Sequence, residues 1–186
     1  SNQGTSWRAT GFDDSNWSSG PAELGYGDSD EATTVNRGPA RGHYATTYFR
    51  GSTNIPDPST FVNFTISVTY DDAYAIYVNG KEVARHAGLT NNAPFDEYAN
   101  NTVGNNANDT LTIPASSFVA VTNIIAVEIH QSSIRSSDIR FALSLTGEIS
   151  SGTQGGNFTP TPGAANRSYA IAVPPQIRQV SHLPKE

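Results

Sequence analysis

The chain has 186 residues, 17 Asp and Glu against 11 Lys and Arg for a formal net charge of −6, and no cysteine. This length allows one domain of ordinary size with a short tail, and the missing thiols exclude a disulfide scaffold, a cysteine-based zinc site, a c-type haem and a thiol nucleophile. Lys81 and Lys185 are the only lysines and no basic run occurs, which argues against a nucleic-acid backbone or an anionic bilayer as partner, and no apolar stretch approaches the roughly 18 residues of a membrane span.

From the N terminus, short strands are predicted at Glu23–Tyr26 and Thr46–Arg50. The clearest signal follows at residues 61–70, where Val62, Phe64, Ile66, Val68 and Tyr70 alternate with Asn63, Thr65, Ser67 and Thr69. That period of two predicts a strand with one face on a core and one in water. Asp71-Asp72 supplies a turn, and Tyr74–Val78 reads as the next strand. Asn79-Gly80 predicts a type I′ hairpin, since both central positions want positive φ, with Lys81–His86 as the returning strand. Residues 87–109 are mostly Asn, Ala, Gly and Asp, a long functional or ordering loop. Beyond it, strands are predicted at Thr110–Ile113, Asn123–Gln131 and Ile139–Ile149. Ile125, Val127 and Ile129 share one face of the second of these, with Ala126, Glu128 and His130 on the other. Ile139, Phe141, Leu143 and Leu145 share a face of the third. No amphipathic helix of three turns is visible, so the expected fold is all-β, a β-sandwich in which two half-apolar sheets cover each other.

After about Glu148 the chain turns to Ser150-Ser151-Gly152-Thr153-Gln154-Gly155-Gly156 and the proline-punctuated Thr159–Gly163, which read as connector. Residues from Ile171 onward resemble the first strand of another β-domain. The expected division is a sandwich over 1–149 and, over 150–186, an interdomain linker with the start of a following β-domain. No charged and apolar leader opens the sequence, so any signal peptide is expected to be already absent. A lysine-poor composition rich in Asn, Ser and Thr points to a secreted or cell-surface protein.

Three groups of residues carry a resemblance. Phe12-Asp13-Asp14-Ser15-Asn16-Trp17 leads through Gly20-Pro21-Ala22 to Leu24-Gly25-Tyr26-Gly27-Asp28. Thr47-Tyr48-Phe49-Arg50 is followed by Asp71-Asp72 and Tyr77-Val78-Asn79-Gly80-Lys81-Glu82-Val83. Asn123–Gln131 and Ser136–Phe141 complete the order. Together they resemble the galactose-binding-like jelly-roll modules attached to secreted bacterial hydrolases and surface proteins, and Thr161–Asn166 resembles the linker that trails lamin-tail-type domains. The resemblance implies a jelly-roll accessory module, often carbohydrate-binding and often carrying a structural calcium, within a multidomain protein. It does not imply catalysis.

A glycan site needs an aromatic face beside polar groups. Trp17 could supply that face or cap the open end of the sandwich; Tyr26 and Tyr98 sit near loops, and Tyr48 lies in a strand. Glu128 and His130 share a strand face, and Arg50 and Arg140 lie on strands near by. These residues form either a polar sugar-binding patch or a structural pair of Glu128 with Arg50 or Arg140. Arg85, His86 and Arg135 stand at strand ends, where jelly-roll modules place ligands. Asp28, Asp30 and Glu31 follow a Gly-Tyr-Gly bend, an oxygen-rich cluster suited to Ca²⁺ though without EF-hand spacing; Asp13-Asp14 and Asp71-Asp72 could contribute. His43, His86, His130 and His182 are scattered, with no zinc-helix, nucleophile-elbow, P-loop or dinucleotide motif. The expectation is a non-catalytic module that binds polysaccharide; the rival is a structural spacer or adhesin-type domain contacting other domains of the same chain.

Overall fold

The computed structural model describes residues 2–104 and 107–149 and the backbone of 176–180. Of the interdomain linker and following β-domain start read over 150–186, residues 150–175, with the lamin-tail-like stretch, and 181–186 lie outside the described residues. The strands are β1 (Ser18–Ser19), β2 (Leu24–Tyr26), β3 (Thr33–Thr34), β4 (Thr46–Ile55), β5 (Phe61–Asp71), β6 (Ala73–Val78), β7 (Lys81–Arg85), β8 (Ala107–Pro114), β9 (Val121–His130), β10 (Ile139–Ile149) and β11 (Gln176–Val180). They form two sheets, ordered β1-β11-β4-β9-β6-β7 and β3-β2-β10-β5-β8, and all pairings are antiparallel except β2 with β3. The fold is an all-β, jelly-roll-like sandwich. β11 lies antiparallel on β4, with Gln176 opposite Ser52 and Val180 opposite Tyr48, and so extends the first sheet.

The predicted alternation sets the inner faces. Phe64, Ile66, Val68 and Tyr70 of β5, Ile125, Val127 and Ile129 of β9, and Ile139, Phe141, Leu143 and Leu145 of β10 are all buried in one core. Phe49 meets Phe141 across it at 4.4 Å between ring centroids. Val62, counted on the same face as Phe64, is 50% exposed because the register with β10 shifts there, Asn63 opposing Glu148 and Phe61 opposing Ile149, and Phe61 packs on Phe64 instead. Asn79 and Gly80 adopt φ of 51° and 85°, the two left-handed positions of a type I′ turn.

The two sheets differ on their outer faces. The outer face of the β5–β8 pair is wet, and Ser67, Asn108 and Thr69 hydrogen-bond along it. The outer face of β4-β9-β6 is roofed. The N-terminal segment and the loop after β7 fold across it, and Trp7, Trp17, Tyr48, Tyr77, Leu89, Ala93 and Ala99 form a second buried cluster with Ala73, Ala75 and Ala126. Three alanines on neighbouring strands leave room for the Trp7 indole, whose centroid is 4.7 Å from Tyr48 and 5.8 Å from Tyr77. β6 is consequently buried along its whole length, as its unbroken apolar run Ala73–Val78 permits.

Candidate functional site: a polar cleft in the roof of the first sheet

The roof holds a cleft of ≈ 220 Å³ lined by the N-terminal segment, the loop and the sheet. Tyr48 of β4 and Glu128 of β9 form its floor; they stand directly opposite one another in the ladder, so their side chains share a face. Asn2, Gly4, Thr5 and Arg8 form one wall and Asn92, Ala93, Pro94 and Phe95 the other. Phe95 is 39% exposed, an apolar ring at the mouth of a polar floor.

Glu128 is the hub. Its Oε1 accepts from the Tyr77 hydroxyl at 2.7 Å and from Arg8 Nη2 at 3.4 Å, and Oε2 lies 3.8 Å from His130 Nε2. Burial alone would raise its pKa, but the His130 ring, the Tyr77 hydroxyl and the Arg8 charge together hold the carboxyl below its ordinary range. The same surroundings act oppositely on the phenols. Burial first, then the Glu128 charge, push the Tyr48 and Tyr77 hydroxyls upward, so both remain protonated and able to donate. Arg8 is held by a second contact, its guanidinium 4.0 Å over the Tyr77 ring.

His130 reaches the site from beneath the loop. Its Nδ1 lies 2.8 Å from the carbonyl oxygen of Glu97, which only accepts, so Nδ1 donates there, and Nε2 faces Glu128. The Thr46 hydroxyl donates to the Phe95 carbonyl at 2.7 Å, and the Glu97 carboxylate accepts from Thr90 N and Oγ1 at 2.7 and 2.6 Å. The β4 and β9 side chains and the loop's own Glu97 therefore fix the wall that carries Phe95.

Of the residues singled out from the sequence, the structure brings Tyr48, Glu128 and His130 together here. Arg50 shares their face but is 2% exposed and serves the roof, its Nε on Asp14 Oδ2 at 3.0 Å and its Nη1 on the carbonyls of Trp7 and Ala9. Glu128 thus pairs with Arg8, and neither Arg50 nor Arg140 is its partner. Trp17 is 8% exposed and edge-on to Phe12. Arg85 clamps the loop, bonding both Glu82 carboxylate oxygens at 3.0 and 2.5 Å and the Thr90 carbonyl at 2.8 Å. His86 packs beside the paired rings of Tyr70 and Tyr74, and Tyr98 is half-buried in the loop. Tyr26 is buried at the far rim against Gln131, and Arg135 is exposed on the loop before β10.

Asp28, Asp30 and Glu31 do come together, with one carboxylate oxygen from each within 4.8 Å of the others. A cation already serves part of this group. Arg140 of β10 lies 2.5 Å from Glu23, 3.1 Å from Asp30 and 3.7 Å from Asp28, while Glu31 Oε1 accepts from the Asp28 N–H.

Sequence reasoning missed Arg8, Asn92 and Phe95. Arg8 belongs to no strand and its role depends on a fold-back of 120 positions to Glu128. Phe95 left a trace: it is the one large hydrophobe between Leu89 and Tyr98 in a loop otherwise small and polar.

No protein-family model and no curated protein matches the chain. Among solved structures it is similar to the native α-L-rhamnosidase of Aspergillus terreus, with 14% identity and a TM-score of 0.42 over 63% of this chain and 14% of that one. A second is the Streptomyces avermitilis α-L-rhamnosidase complexed with L-rhamnose, with 18% identity, a TM-score of 0.40, and 87% and 15% covered. The PA14 domain of the antifreeze protein MpAFP gives 17% identity and a TM-score of 0.31 over 68% of this chain and 50% of that one. The chain therefore spans about one seventh of either rhamnosidase.

Proposed function

We propose that the chain is a non-catalytic, galactose-binding-like accessory module of a larger secreted or cell-surface protein, and that it holds a glycan in the roof cleft. The observation that carries this reading is the pairing of an exposed Phe95 ring with a floor of Tyr48 and Glu128 and the Arg8 guanidinium in the facing wall. Sugars present C–H faces to an aromatic ring and hydroxyls to directional donors and acceptors. Binding here would be by the mouth and walls, since the floor groups are largely buried.

The cleft favours binding over hydrolysis. Glu128 is the one carboxylate among the described residues lining it, whereas glycoside hydrolysis ordinarily uses two flanking the bond. Its carboxyl is held ionised, the wrong state for a general acid. On this reading residues 150–186 are an interdomain linker and the start of a following β-domain, and 176–180 of that segment pair with β4.

Affinity electrophoresis through gels containing a panel of polysaccharides tests the proposal. Retardation by at least one of them, reduced about tenfold in apparent affinity by Phe95→Ala with an unchanged melting temperature, is the expected result. The burial of Trp7, Trp17 and Tyr26 favours a second reading, a structural spacer; migration unaffected by every polysaccharide would support that reading instead.

A further inference from the structure

The wall that carries Phe95 also carries charge. Glu97 N donates to the Pro94 carbonyl at 2.9 Å, closing a turn whose two central residues are Phe95 and Asp96. Both are exposed, so the turn presents an aromatic ring and a carboxylate side by side at the mouth of the cleft, Asp96 standing just outside its lining. The turn is held from below by the Thr46 hydroxyl on the Phe95 carbonyl and by His130 Nδ1 on the Glu97 carbonyl. Ring and carboxylate are thus offered on a fixed support.

The cations around the cleft are already paired. Arg8, in the facing wall, is 14% exposed and contacts Glu128 Oε1, and Arg85 bonds both carboxylate oxygens of Glu82. Residues 87–104 contain Asp96 and Glu97 and no Lys, Arg or His. The Glu97 carboxylate is met by the N–H and hydroxyl of Thr90, both uncharged, and among the described residues no ion pair reaches Asp96. Burial and then the Glu128 charge push the Tyr48 hydroxyl upward, and the Asp96 charge adds to them, so its field extends to the floor. The mouth is therefore negative, with an exposed π face beside the charge, and both features attract a cation.

We propose that the glycan held in this cleft bears free amines, a polymer of amino sugars with an ammonium group between the Phe95 ring and the Asp96 carboxylate. The inference rests on the glycan reading and adds to it the class of sugar. A neutral sugar would gain the ring contact and hydroxyl bonds alone, and a uronate would meet Asp96 and Glu97 as like charges. Arg8 does not reverse the preference, because Glu128 at 3.4 Å matches its charge. Asn2, Thr5 and Asn92 on the walls offer donors and acceptors for hydroxyls, which favours a sugar over a simple polyamine.

The test is calorimetric titration of the full chain with a glucosamine hexasaccharide and with its fully N-acetylated counterpart. At low salt the amine form should bind at least about fivefold tighter, and most of that margin should vanish at about 0.3 M NaCl, where exposed charges are screened. Asp96→Asn, at an exposed position that leaves the melting temperature unchanged, should remove the margin at low salt. Equal affinity of the two sugars, tighter binding of a galacturonate oligomer, or a margin that survives Asp96→Asn would each overturn the inference. A lysine hexapeptide bound as tightly as the amine sugar would overturn the assignment to a glycan. Retardation by neutral polysaccharides alone would end this inference and leave the glycan reading standing, whereas retardation by none, with neither hexasaccharide bound, would end both.

Discussion

Glu128 and Trp7 tie the N-terminal segment to the sheet by opposite chemistry. Glu128 is a buried charge held by Arg8, Tyr77 and His130; Trp7 is an indole seated on three alanines. Because the folded Glu128 carboxyl sits below its unfolded value, its contribution is full above the ordinary carboxylate range and is lost as pH falls through the folded value. Glu128→Gln should therefore lower stability at neutral pH while flattening the acid limb of a pH–denaturation series. An acid limb as steep as that of the parent would refute the charged hub. Trp7→Ala removes a fully buried indole and should cost about 3–5 kcal/mol, lowering the calorimetric midpoint by roughly 10 °C. A fall of under about 2 °C would mean that the roof does not support the sheet.

At the scale of elements, β9 and the hairpin after β6 show what a sequence can reveal. Ile125, Val127 and Ile129 announce the inner face of β9, and Asn79-Gly80 announces its turn, because both signals are local. The role of Asn79 beyond the turn is not local. Its Oδ1 accepts from Ile124 N at 2.9 Å and its Nδ2 donates to Asn123 Oδ1 at 2.8 Å, pinning the hairpin to β9. Asn79→Gly keeps the backbone freedom and loses both bonds, so about 1–2 kcal/mol of stability should go. Gly80→Ala keeps the bonds and pays only for positive φ, about 1 kcal/mol. Urea denaturation of the two variants compares them directly; an equal or reversed order would deny the pinning role. The roof was illegible for the same reason. Ala126, Glu128 and His130 read correctly as the second face of β9, but the residues that cover it come from the chain start and the 87–104 loop, neither of which carries a periodic pattern. Tyr48, Glu128 and His130 could thus be grouped from their strands, whereas Arg8 and Phe95 required the fold.

For the whole molecule, the two sheets use their outer faces differently. One meets solvent with hydroxyls and amides; the other, across β4-β9-β6, lies beneath the N-terminal segment and the loop after β7 and holds the cleft, where polar floor and exposed ring coincide. The most direct measurement is a series of amide NMR spectra of the labelled chain titrated with oligosaccharides cut from a retained polysaccharide. Saturable shifts gathered at residues 2–8, 46–48, 92–95 and 128 are predicted, absent in Phe95→Ala. Shifts gathered instead on the loop before β10, or an unperturbed cleft at saturating sugar, would contradict the account.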